Sequence, residues 1–160
     1  MAISGYQRYC LNLQGYSRLS DEAKRQVDLA QRFKPAVCAA VAVVAVVTQS
    51  LPVALLGVLL GYWAAFFPGH PADVVYRGVL QPLLHAPDLG PDPAPRRFAC
   101  GMAATLLLIG ALGWAAGLAT VGQIFVGVTA LSLLALVVGG FCTGSFVYWL
   151  VVRRRVFLGS

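Results

Sequence analysis

The side chains with the widest chemical range in this sequence are four cysteines, Cys10, Cys38, Cys100 and Cys142, and two histidines, His70 and His85. The cysteines stand singly along the chain, without the paired spacing of a secreted disulfide framework. The histidines lack ligand-pair spacing, so no metal is expected, and no other cofactor. No nucleophile–base set, phosphate-cradling loop or dinucleotide glycine pattern occurs, so spacing names no catalytic residue. What remains is thiol chemistry. Cys38, Cys100 and Cys142 are the candidate thiols, because their places in the apolar stretches put all three in one half of a bilayer. Against this, cysteine is a common small apolar filler of buried positions. A reactive thiolate needs a neighbouring cation or helix N-terminus, and the sequence offers neither around Cys142.

The elements that must position these thiols are apolar. Ala36–Thr48, Leu51–Phe67, Phe98–Ala119 and Val121–Val152 contain no acid, lysine, arginine or histidine. A charge in bilayer hydrocarbon costs several kcal/mol, so its absence fits membrane spans, expected over about 36–52, 51–67, 98–119 and 121–152. The whole chain of 160 residues is 59% hydrophobic and 11% charged, against about 25% charged for a soluble domain. The first stretch is short, about 20 Å as helix, so flanking residues must complete it. The fourth is long, about 48 Å, so it must tilt, project beyond the bilayer or break near Gly139–Gly140.

The net charge of +6 sits beside the spans rather than in a nucleic-acid-binding patch, so no nucleic-acid partner is expected. Arg32 and Lys34 precede the first span, Arg96 and Arg97 the third, and Arg153, Arg154 and Arg155 follow the fourth. The two other connections carry no charge. Positive loops stay cytoplasmic, which puts both termini and the central loop on the cytoplasmic side of the membrane. Both halves then enter and leave on one side. The fold expected is all-α: an integral membrane four-helix bundle of two parallel helical hairpins, with an amphipathic N-terminal helix and an interfacial loop helix. An inverted repeat would suit a transporter better.

Residues 1–19 read as a polar arm, either loosely ordered or docked on a partner through Tyr6, Tyr9 and Tyr16. The first apolar run starts too far along for a cleavable signal peptide, so residues 1–34 are expected on the mature protein. Ser20 with Asp21 and Glu22 makes a helix start, and Pro35 should bend that helix at the membrane surface. Asp73, Arg77, Gln81 and His85 recur every four residues, giving an interfacial helix over about 72–85, irregular at Pro82. Residues 86–95 form a stiff proline-rich link, and residues 153–160 a basic tail. Gly57 and Gly61, Gly113 and Gly117, and Gly140 and Gly144 each put small residues on one helix face. They can serve packing within the bundle or docking on another membrane subunit.

The opening Asp28…Arg32-Phe33, the loop Tyr76-Arg77…Leu80…Pro82, the run Arg97-Phe98-Ala99-Cys100-Gly101 and the segment Gly140-Phe141-Cys142-Thr143-Gly144-Ser145-Phe146 resemble a bacterial family of four-span membrane proteins, domain of unknown function 4395. The resemblance runs from about Asp28 to Arg154. It implies a link to thiol or sulfur metabolism. The family's fourth span looks like Phe-Cys-x-Gly-Cys; Cys142 matches its first cysteine, whereas Ser145 stands at its second, which puts dithiol exchange there in doubt. The function expected first is a non-catalytic accessory subunit, partnered by the lipid bilayer and a larger respiratory or photosynthetic membrane complex. The alternatives are a membrane thiol protein acting through Cys142 and a small-solute channel.

Overall fold

The computed structural model describes residues 4–67, 71–84 and 92–158, without the side chains of 25, 26, 29, 30, 80, 83, 84 and 152–158. His70, His85, most of the proline-rich link and the side chains of Arg153, Arg154 and Arg155 lie outside the described residues. The described residues are all-helical, with no strand.

Helix α1 (Gly5–Leu13) is no loose tail. Ser4 caps it, accepting from the Gln7 N–H while the Gln7 side chain accepts from the Ser4 N–H. Helix α2 (Asp21–Gln31) starts with Ser20 Oγ accepting from the Ala23 N–H. It gives way at Arg32 to α3 (Phe33–Thr48). The cause is Pro35: it has no N–H to return to the carbonyl four residues back, which belongs to Gln31. Gln49, at φ 51°, turns the chain into α4 (Leu51–Phe66).

The loop helix is α5 (Pro71–Val75), a π-helical turn (Tyr76–Leu80) and α6 (Gln81–Leu84). Pro82 cannot donate to Gly78, and the wide turn, closed by Gln81 N–H to the Tyr76 carbonyl, absorbs that missing bond. Ala72 and Tyr76 face the protein, while Val74, Val75 and Val79 are exposed. Phe33 and Tyr76 pack ring to ring at 6.1 Å, pinning this helix to the start of α3.

Helix α7 (Ala94–Ala115) and α8 (Ala119–Gly139) form the second hairpin, turned at Gly117 with φ 76°. The long apolar run breaks: Gly140, at φ 72°, ends α8, and α9 (Thr143–Leu158) leaves on a new course. Helix α3 packs on α4 and α8, α7 packs on the same two, and α9 lies against α7 and α1.

By length and composition, α7 and α8 are each able to cross a membrane; α4 makes a third if joined with the bent segment after it, and α3 is a shorter apolar helix. The packing is that of a membrane protein. The core is built of small residues, Ala42, Ala45, Ala54 and Ala111 with Val58, Leu107 and Val126. The bulky ones point outward: Val138 is 78% exposed, Val47 75%, and Leu59 and Leu131 each 68%. Water would reject such a surface, whereas lipid accepts it and close helix contact requires small residues inside.

Candidate functional site

Chain direction brings four helix ends together: the starts of α3 and α7 and the finishes of α4 and α8. The finishing ends leave carbonyls without donors and carry the negative pole of the helix dipole. Arginines answer them. Arg32 Nη1 donates to the Val137 and Val138 carbonyls at 3.0 and 3.1 Å, held by Asp28 at 3.0 Å. Arg97 donates through Nε and Nη2 to the Ala65 and Phe66 carbonyls at 2.9 and 3.1 Å. Arg96, 4% exposed, donates at 2.6 Å to the Gln31 carbonyl that Pro35 left free.

The remaining charges form a roof. Lys34 Nζ lies 2.9 Å from Asp73 and 3.0 Å from Asp92, and Asp92 is 3.7 Å from Arg96. Tyr16 stands beside Arg96 and Gln31, and burial raises its phenol above the ordinary value, with the guanidinium pulling the other way. Two polar groups in this cluster are buried without a well-formed partner: Nη1 of Arg96 and the Gln31 side-chain amide.

Beneath the roof is a cavity of about 80 Å³. Cys38 of α3, Cys100 of α7 and Cys142 ahead of α9 all line it, with Lys34, Asp92 and Arg96 at its charged end. A water needs roughly 10–15 Å³ by this measure and two or more polar partners, so the cavity has room for several. Cys142 is 4% exposed, and its carbonyl accepts from the Phe146 N–H in the first turn of α9. It therefore sits at the start of a helix. No cluster of three or more His, Cys, Asp or Glu side chains placed to hold a metal occurs among the described residues, and all four cysteines are free thiols.

The other candidate residues are placed as follows. A Cβ on Gly57 would stand 3.1 Å from Leu107, one on Gly61 2.9 Å from Ala104, one on Gly113 3.0 Å from the Gly122 nitrogen, and one on Gly144 2.5 Å from Ala99. Gly140 faces the Arg32 guanidinium, and Gly117 has open space. Tyr6 and Tyr9 are exposed. Tyr16 is engaged within the chain. Helix α1 closes over the α8–α9 break: Gln14 Nε2 donates to the Gly140 carbonyl at 2.9 Å, and Trp149 Nε1 to the Leu13 carbonyl at 2.8 Å. Ser145 is fully buried and donates to the Pro95 carbonyl at 3.3 Å.

Sequence reasoning did not find Arg96 as a cavity residue or the helix start at Cys142. Two signals were available: Pro35 frees the carbonyl four residues before it, and Asp92 precedes Arg96 by four.

No curated protein and no solved structure matches the chain. A family model does match, over residues 28–153, which takes in all three cavity cysteines and leaves α1 and Cys10 outside. With most of its length covered, the chain belongs to the family described as Domain of unknown function (DUF4395).

Proposed function

We propose that this is a bacterial inner-membrane protein with four spans and both termini in the cytoplasm, and that it works as a thiol protein through the cavity at its cationic end. The observation that carries this reading is the meeting of Cys38, Cys100 and Cys142, from three separate segments, in one cavity beside Arg96. Thiols used only as filler have no reason to converge on one charge-roofed space. Cys142 is the reacting group because it alone of the three sits at a helix start. It attacks one sulfur of a disulfide substrate and expels the other as a thiolate. Cys100 or Cys38 then displaces the second half, leaving a protein disulfide and a reduced substrate.

Labelling with a membrane-permeant maleimide tests this. Cys142 should react faster than Cys10, which is equally buried but lines no part of the cavity. Equal rates refute the thiol reading.

The accessory-subunit reading keeps one support. Tyr6 and Tyr9, three residues apart on α1, are 56% and 51% exposed, while Leu11 buries the opposite side. Such an aromatic face suits a protein partner. Purification in mild detergent tests it: a companion subunit should be retained by the wild type and lost on Tyr6→Ala with Tyr9→Ala. A lone chain in both preparations sinks the idea.

A further inference from the structure

We propose that the open groove between α4 and α7, at the cationic end, holds one anionic phospholipid, its phosphate on Arg97 and one acyl chain along Gly101 and Thr105. The groove encloses about 700 Å³, inside the roughly 300–1,000 Å³ typical of ligand sites. It shares Asp92 and Met102 with the thiol cavity as a common wall but opens outward between Phe66 and Phe98.

The floor suits hydrocarbon. Thr105 Oγ1 donates to the Gly101 carbonyl at 2.9 Å, so the Tyr62 hydroxyl, 3.1 Å away, donates to Thr105. These polar groups are satisfied by one another and ask nothing of an occupant. Gly101 keeps the floor low, since an added Cβ would already touch Ala65 at 3.4 Å. From Arg97 to Thr105 the helix rises about 12 Å, a length for an acyl chain to follow.

The mouth suits a phosphate. A guanidinium has five N–H donors. Arg97 uses its Nε and one Nη2 hydrogen to close the end of α4, which fixes the plane of the fork and leaves the other donors for an anion. Arginine presents such a fork to phosphate better than lysine does. The groove carries one opposing charge, Asp92, and that is answered by Lys34 at 3.0 Å and Arg96 at 3.7 Å. Phe66, 67% exposed, and Phe98, 41% exposed, flank the mouth. Exposed aromatic rings beside a cationic helix end mark the head-group level of a bilayer. Depth, charge and shape agree on a membrane phospholipid.

The test is lipid retention and exchange on the full chain, purified in mild detergent and followed by native mass spectrometry. Wild type should keep a single phosphatidylglycerol and exchange phosphatidylcholine onto that site about tenfold less well. Arg97→Gln should erase the head-group preference. Because that change also loosens the end of α4, Thr105→Phe supplies a second arm: at an exposed lining position two turns from Arg97 it adds bulk to the floor and should cut retention of both lipids. Equal retention of the two lipids by wild type, retention unchanged in Thr105→Phe, or displacement of the lipid by millimolar inorganic phosphate would each overturn the proposal.

Discussion

Arg96 is a charged side chain buried at a helix junction, and its role rests on a proline. Pro35 withholds the N–H that would close the Gln31 carbonyl, and Arg96 supplies the missing donor at 2.6 Å. Replacing Arg96 by Met keeps much of the volume but removes a hydrogen bond from a charged donor, a loss of about 1.5–3 kcal/mol. Asp92 retains Lys34 at 3.0 Å, so the carboxylate is not stranded. Pro35→Ala restores an ordinary helical N–H to Gln31. In that background the same Arg96→Met change should cost about 1 kcal/mol less, the net worth of a backbone hydrogen bond. The four proteins form a double-mutant cycle, measured by unfolding in mixed micelles. A coupling of about 1 kcal/mol supports the account. Additivity within about 0.5 kcal/mol would refute it, because independent sites add to that tolerance.

Three further outcomes follow from the geometry. Gly144→Ala must displace α9, since its Cβ would sit 2.7 Å from the Ala99 Cα as well as 2.5 Å from its Cβ; unfolding should show a loss of about 1–3 kcal/mol. Gly78→Ala, with nothing within 4 Å, is its control and should not destabilise. Lys34→Met removes the cation shared by Asp73 and Asp92, whose side chains are 14% and 17% exposed. Breaking such a pair costs about 3–5 kcal/mol, and Arg96 beside Asp92 should hold the loss to the lower end; a change under about 0.5 kcal/mol would show that the roof does not hold the loop helix. Tyr16 has a raised folded-state pKa because it is buried. Its neutral form therefore stabilises the fold fully below the unfolded value of 10.0, and that stability is lost as pH climbs through the folded value. Alkaline unfolding should come later in Tyr16→Phe; coincident curves would mean that Tyr16 is not titrating in the packed state.

The all-helical fold and the apolar character were legible because periodicity and charge exclusion are local properties of sequence. The break of the long run at Gly139–Gly140 was one of three outcomes its length allowed, and the left-handed glycine decided between them. The roles of Arg32, Arg96 and Arg97 were not legible. Their positions mark one end of the helices, yet what each does there depends on which carbonyl a neighbouring helix leaves open. Arg32 reaches across to Val137 and Val138, a pairing that no local pattern encodes. The thiols divide the same way. Their shared depth could be counted along the chain, whereas their shared cavity depends on α7 lying beside α9 and α3 beside α8. Helix α1 was hardest to read, because its cap is local but its seat on the Gly140 carbonyl is not.

The convergence of the thiols is open to direct capture. In native membranes carrying the Cys10→Ser chain, a brief treatment with a mild permeant oxidant followed by peptide mapping should yield a bond from Cys142 to Cys100 or Cys38. If the oxidant joins neither pair, while still closing a designed pair of cysteines across the α3–α4 turn, the three sulfurs do not act together and the thiol account is wrong.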